Sequence, residues 1–154
     1  MASTVGVISD THGLMRESAL KVLTGAALII HAGDVGAPDV LTALSGIAPV
    51  YAIRGNIDRE DWALALPATR TVEIEEARIF VLHNLADLAF DPAARRCRAV
   101  ISGHSHRAHY QVRGGVLYLN PGSAGPRRFR LPVTVALLTV EGATLSPRIL
   151  TLDA

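Results

Sequence analysis

The run from Thr4 to Ser9, centred on Val5-Gly6-Val7-Ile8, is continuously apolar, the pattern of a strand buried on both faces. Met15, Ala19, Val22, Leu23 and Ala26 then recur at helical spacing. A second apolar strand follows at Ala27-Leu28-Ile29-Ile30-His31. Pro38 opens a short helix at its first position, with Val40, Leu41 and Leu44 along one face and Gly46 at the exit. Pro49 to Ile53 makes a third strand. The order β-α-β-α-β predicts a mainly parallel sheet for roughly the first sixty residues.

From Thr69 the pattern changes. Thr69 to Glu75 alternates and Arg78 to Leu82 is apolar, which predicts a hairpin turned at Glu76-Ala77. A polar connection containing Asp91-Pro92 leads to a strand at Ala99-Val100-Ile101. Tyr110 to Val112 and Val116 to Leu119 flank a Gly114-Gly115 turn, and Val133 to Val140 pairs with Thr144 to Leu150 around Glu141-Gly142. The expectation is an α/β protein of two sheets packed face to face, with helices outside. No repeat, low-complexity tract or linker interrupts the chain, so residues 1–154 are expected to form a single domain.

Composition narrows the function classes. Apolar residues make up 49% and charged residues 19%, which excludes a disordered chain. Fifteen basic and fourteen acidic residues leave a net charge of +1, and only 5% are aromatic. Little is left for tracking phosphates or stacking bases, so there is no strong nucleic-acid signal. One cysteine, Cys97, forbids an internal disulfide framework and any CxxC zinc motif. No apolar run approaches the ~18 residues of a membrane span. The opening MASTVGVISD lacks the basic segment of a secretory signal, so a soluble cytoplasmic protein is expected.

The polar residues at the strand ends carry the chemistry. The apolar strands run into Ser9-Asp10-Thr11-His12-Gly13, His31-Ala32-Gly33-Asp34, Arg54-Gly55-Asn56-Ile57-Asp58, His83, and Gly103-His104-Ser105-His106. Loops at the carboxyl ends of strands build the site in α/β sheets. Each piece alone also reads as an ordinary turn, and His83 as a half-buried structural histidine. Together they bring two aspartates, one asparagine and four histidines to five strand ends. Seven mixed oxygen and nitrogen donors exceed the needs of one metal and suit two first-row divalent ions sharing a carboxylate.

The motifs SDTHG (9–13), HAGDVG (31–36), RGNID (54–58), His83, SGHSH (102–106) and NPGS (120–123) resemble those of the calcineurin-like metallophosphoesterases, in their small bacterial and archaeal phosphodiesterase branch. That resemblance implies a four-layer α/β/β/α sandwich of two mixed sheets flanked by helices. It implies Asp10, His12 and His106 on one metal, Asp34 bridging, and Asn56, His83 and His104 on the second. Manganese is the leading expectation, with nickel, iron or zinc as alternatives. The implied activity is hydrolysis of phosphodiesters by a metal-bridging hydroxide, with Asn56 and His104 contacting the substrate phosphate. The implied alternative is a non-catalytic interaction scaffold of the same fold, like the retromer subunit, in which the metal set is degraded.

Departures from the family pattern bear on substrate. Ile57 stands where many relatives have a histidine thought to protonate the leaving group, so diesters, or monoesters with good leaving groups, are favoured over alkyl monoesters. His83-Asn84-Leu85 replaces the usual HGH, and Ser105 replaces a threonine. Asp58 is expected behind the ligands, orienting a ligand histidine. His31 either supports the ligands in the same way or is a satisfied strand histidine. His109, at the start of the next strand, is expected to be structural or to lie at the rim. Arg127, close after NPGS, either binds a substrate phosphate or is a solvated loop charge. Apolar strand edges near the C-terminus would suit a homo-oligomer.

Overall fold

The computed structural model describes residues 2–128 and 130–152. Ten strands carry the fold: β1 (Ala2–Ile8), β2 (Leu28–His31), β3 (Val50–Ala52), β4 (Thr69–Ile74), β5 (Ala77–Leu82), β6 (Ala99–Ile101), β7 (His109–Arg113), β8 (Val116–Asn120), β9 (Thr134–Glu141) and β10 (Thr144–Thr151). Two α-helices join them, α1 (Glu17–Leu23) and α2 (Pro38–Ser45). The strands form two mixed five-stranded sheets, ordered β10-β9-β1-β2-β3 and β4-β5-β6-β8-β7. Within them β1, β2 and β3 are parallel, as are β5, β6 and β8.

The unbroken apolar runs follow from this layering. Val5, Val7, Leu28 and Ile30 point between the sheets, where they meet Ile79, Val81, Ile101 and Leu119. Their neighbours Ile8 and Ile29 point the other way, onto Ala19 and Leu23 of α1 and Leu44 of α2. Both faces of the first sheet are therefore covered. On the outer face of the second sheet, Leu82, Val100 and Val116 pack with Phe80, Leu85, Leu88 and Tyr118. This is the expected four-layer sandwich, but the fourth layer is made of short 3-10 turns, Leu85–Asp87 and Ala93–Arg95, rather than α-helices.

Helix α1 is shorter than the apolar period from Met15 to Ala26. Gly25 at φ 94° breaks it, yet Met15 and Ala26 still pack in the same cluster as Leu23. The β4–β5 turn falls at Glu75-Glu76, one residue earlier than the pattern suggested. Ala77 is buried and pairs with Ile74, which draws it into the strand and leaves Glu75 to take the left-handed conformation. The last hairpin turns at Gly142-Ala143, because Glu141 pairs with Thr144.

Candidate metal centre

The loops after β1, β2, β3, β5, β6 and β8 meet at one end of the sandwich. Hydrogen bonds between them lock their relative positions. The amides of Asp10 and His12 donate to the carbonyls of Gly33 and Asp34, at 3.0 Å each. The Gly103 amide donates to the His83 carbonyl at 2.9 Å, and the Ser123 hydroxyl to the Asp10 carbonyl at 3.0 Å.

Two glycines allow this approach. A Cβ on Gly55 would overlap the amide and carboxylate of Asp34, and one on Gly103 would overlap the Ser9 hydroxyl and the Asp10 carboxylate. Seven non-glycine residues among the described ones have φ in the left-handed region. Five of them are Asp10 (55°), His12 (47°), Asp34 (56°), His104 (73°) and His106 (63°). Such conformations cost about 1–3 kcal/mol each and persist where the surroundings enforce them, commonly at functional sites.

The side chains converge on two carboxylate oxygens. Asp10 Oδ1 lies 3.4 Å from His106 Nε2, 3.8 Å from His83 Nε2 and 4.0 Å from His12 Nε2. Asp34 Oδ2 lies 3.3 Å from His83 Nε2 and 3.6 Å from His12 Nε2. The far oxygens are occupied: Asp10 Oδ2 accepts from Ser9 Oγ and the His104 amide, and Asp34 Oδ1 accepts from the Ile57 amide. Asn56 and His104 close the open side, with Asn56 Nδ2 3.5 Å from His104 Nδ1 and the His104 ring 5.3 Å from that of His83.

Electrostatics single out the centre of this cluster. Burial raises the Asp10 carboxyl above the ordinary carboxylate range, against the Ser9 bond and the nearby His83 and His106. Burial also acts to raise Asp34, but the close approach of His83 and the bond from the Ile57 amide outweigh it and hold the carboxyl down to about 2. At His83 burial opposes protonation, and the contacts with Asp34 and the Ala32 carbonyl overcome it, so its affinity for a proton is raised. Burial lowers that of His106.

The fit to a metal rests on atoms without partners. Among the described residues the buried side-chain polar atoms lacking a hydrogen bond are Asp10 Oδ1, His12 Nε2, His83 Nε2 and His106 Nδ1. Buried polar groups are ordinarily satisfied, because an orphaned one costs about 1–3 kcal/mol. His83 Nδ1 donates to the Ala32 carbonyl at 2.7 Å, so in the neutral ring Nε2 presents a lone pair to two carboxylates. Acceptors facing one another need a positive charge between them. Asp10-His12-His106 and Asp10-Asp34-His83 each bring three donor atoms within 4.8 Å of one another, which suits a divalent cation of the imidazole- and carboxylate-binding kind.

The sequence profile of the calcineurin-like phosphoesterase superfamily domain matches residues 4–143. The chain belongs to that superfamily. A probable metallophosphoesterase of Methanothermobacter thermautotrophicus is 33% identical, covering 95% of this chain and 91% of its own. The phosphodiesterase YfcE of Escherichia coli K12 is 29% identical, with 84% of each chain covered. Zinc-complexed Vps29 of Entamoeba histolytica shares the fold, with a TM-score of 0.74 at 20% identity over 96% of this chain and 98% of that one.

The seven residues predicted as metal ligands are thus brought together. The supporting residues behave less uniformly. Asp58 does not orient a histidine. Its carboxylate accepts from the backbone amides of Val35 (2.9 Å), Gly36 (3.0 Å) and Gly55 (2.9 Å), and so ties the Asp34 loop to the Asn56 loop. His31 is fully buried; its Nδ1 accepts from the Gly33 amide. The Thr11 hydroxyl donates to the Val35 carbonyl, so its oxygen is left to accept from His31 Nε2–H at 3.0 Å. Both His31 partners lie beside ligand loops. Arg127 is exposed and donates from Nε to the Leu131 carbonyl. Arg128, rather than Arg127, acts on His106, where its charge adds to the effect of burial and opposes that of Asp10.

Three residues here had no assigned role in the sequence reading. Ser9 and Ser123 hold Asp10 at its carboxylate and carbonyl. Asn120 donates to the Gly103 carbonyl and to Ser105, fixing the turn that carries His104. The NPGS motif was the only signal for two of them.

Proposed function

We propose that the protein hydrolyses phosphodiesters, using two divalent transition-metal ions held by Asp10, His12, Asp34, Asn56, His83, His104 and His106. The observation that carries this reading is that the partnerless nitrogens His12 Nε2 and His83 Nε2 both face Asp10 Oδ1, itself partnerless, and Asp34 Oδ2. Manganese leads the candidates, with nickel, iron and zinc as alternatives. When bound, the ions would supply Lewis-acid stabilisation of the phosphoryl oxygens and activation of water.

The chain's own residues do the rest. Asn56 Nδ2 is a neutral donor at the open side of the cluster, and with His104 it would hold a phosphate oxygen. Asp10 and Asp34 keep their ligating oxygens aimed inward because Ser9, the His104 amide and the Ile57 amide occupy the others. Ile57 is 47% exposed beside Asn56 and has no proton to give a leaving group. That favours diesters with good leaving groups over alkyl monoesters.

Two clefts support a diester over a monoester. One, of about 520 Å³, includes Asn56 and His83 in its lining, and the other, of about 330 Å³, includes His104. A phosphate seated between them has room for two ester arms. A scaffold role draws on the Vps29 fold alone, and the same assay separates it from catalysis. Chelator-stripped protein would be refilled with Mn²⁺, Ni²⁺ or Zn²⁺ and given bis-p-nitrophenyl phosphate. Turnover in the refilled protein, lost in Asn56→Ala and His104→Ala with the fold retained, is expected. No turnover with any of these metals would leave the scaffold reading.

A further inference from the structure

The larger cleft has a composition that the hydrolysis of a bare phosphate does not use. Part of its lining is aliphatic, from Leu82 at the end of β5 and Leu88 in the following connection. Phe80 and Phe90 also line it and pack edge to face, their ring centroids 4.8 Å apart at 81°. Two guanidinium groups share the same cleft. Arg95 lies 3.9 Å over the Phe90 ring centroid, and Arg54 is anchored by a 2.8 Å bond from one terminal nitrogen to the Leu66 carbonyl. Against these two cations the lining holds one carboxylate, Asp87.

We infer that this cleft receives one ester arm of the substrate, and that the arm is a planar aromatic group of nucleoside size with electron-rich atoms at its edge. The inference rests on the phosphodiester reading and names the substrate class. Continuity with Asn56 and His83 puts the arm within reach of a phosphate on the cluster. The volume of about 520 Å³ lies in the range of small-molecule sites. A short alkyl arm would leave the aromatic wall and both guanidiniums unused. An acyl chain would bury hydrocarbon against guanidiniums that then lose their polar partners. An aromatic arm satisfies both: its face packs on apolar and aromatic side chains, while Arg95 offers a stacked guanidinium and Arg54 a donor at the rim.

The test is binding rather than turnover. Metal-loaded protein would be titrated calorimetrically with methyl phosphate and with adenylate, which share the phosphate and differ in the arm. Adenylate is expected to bind at least about tenfold more tightly, the scale of one stacked base. Phe90→Ala and Arg95→Ala should each reduce that preference severalfold and leave methyl phosphate binding unchanged, which also shows the site intact. Should Phe90→Ala disturb folding, the exposed Arg95→Ala decides. Equal affinity for the two probes, or a preference that survives both substitutions, would overturn the assignment of the cleft. Binding of neither probe would overturn the phosphate-site reading, and this inference with it.

Discussion

His83 Nε2 lies 3.3 Å from Asp34 Oδ2, although the other nitrogen of the ring already donates to the Ala32 carbonyl. A neutral imidazole so held points a lone pair at a carboxylate. Only a proton or a cation resolves that arrangement. His12 Nε2 faces both Asp10 and Asp34 as well. The apo site is therefore electrostatically frustrated, and a divalent ion should stabilise the whole fold.

Metal removal should lower thermal stability. An ion bound at a hundredfold over its Kd contributes about 2.7 kcal/mol, or roughly 5–10 °C in Tm for a chain of this size. Calorimetric scans with chelator and after refilling with Mn²⁺, Ni²⁺ or Zn²⁺ check this. Superimposable scans would mean that the partnerless atoms do not bind these ions.

Gly55→Ala should damage the site at its backbone. The added methyl would overlap the Asp34 amide and carboxylate, so the loops must separate, at a cost of about 1–3 kcal/mol. Gly46→Ala is the control. Gly46 ends α2 at φ −69°, where any residue fits, and its nearest neighbour would be the Ala43 carbonyl at 3.4 Å. Urea denaturation should show a loss for Gly55→Ala and about 0.5 kcal/mol or less for Gly46→Ala.

Asp58→Ala removes the acceptor of three backbone amides at once. Leaving them unpaired should cost about 3 kcal/mol or more. Asp58→Asn should cost less, because its remaining oxygen can still serve Val35 and Gly55. Both variants should weaken metal binding about 10- to 100-fold, since the Asp34 and Asn56 loops lose their tie. Metal titration followed by calorimetry reads this directly. Unchanged affinity in both would make Asp58 a purely local brace.

His31 should give the apo protein a pH-dependent stability. Burial lowers its pKa from the ordinary 6.5 to about 4. As pH falls through that window, the unfolded chain takes up a proton that the folded chain refuses. Its contribution is thus fully present above about 6.5, declines down to about 4, and the loss levels off at about 3 kcal/mol. His31→Gln cannot titrate and should flatten that part of the profile. Urea denaturation of chelated protein from about pH 7.5 to 4.5 measures it. Parallel profiles for the two proteins would refute the assignment to His31.

The predicted ligand positions were legible because each sits in a short contiguous motif directly after an apolar run. Parallel strands deliver their carboxyl ends to one edge of a sheet, so Asp10, Asp34 and Asn56 had to arrive together once β1, β2 and β3 were recognised. His83 and His104 follow β5 and β6 by the same rule. The roles of Ser9, Ser123 and Asp58 were hidden. Each depends on a hydrogen bond to a loop that packing alone brings near, Ser123 to Asp10 across 113 positions being the extreme.

The chain's hydrophobic pattern by itself determined the two-sheet sandwich, the parallel core of the first sheet and the edge at which the chemistry gathers. Periodicity reports which face a residue takes, and that is a local property of the backbone. Tertiary structure alone decided that Asp10 Oδ1 and Asp34 Oδ2 each face both His12 and His83, that five site residues take left-handed backbone, and that Phe80, Phe90, Arg54 and Arg95 share a cleft. Those relations join segments far apart in the chain, and only the packing of both sheets against each other sets the distances between them.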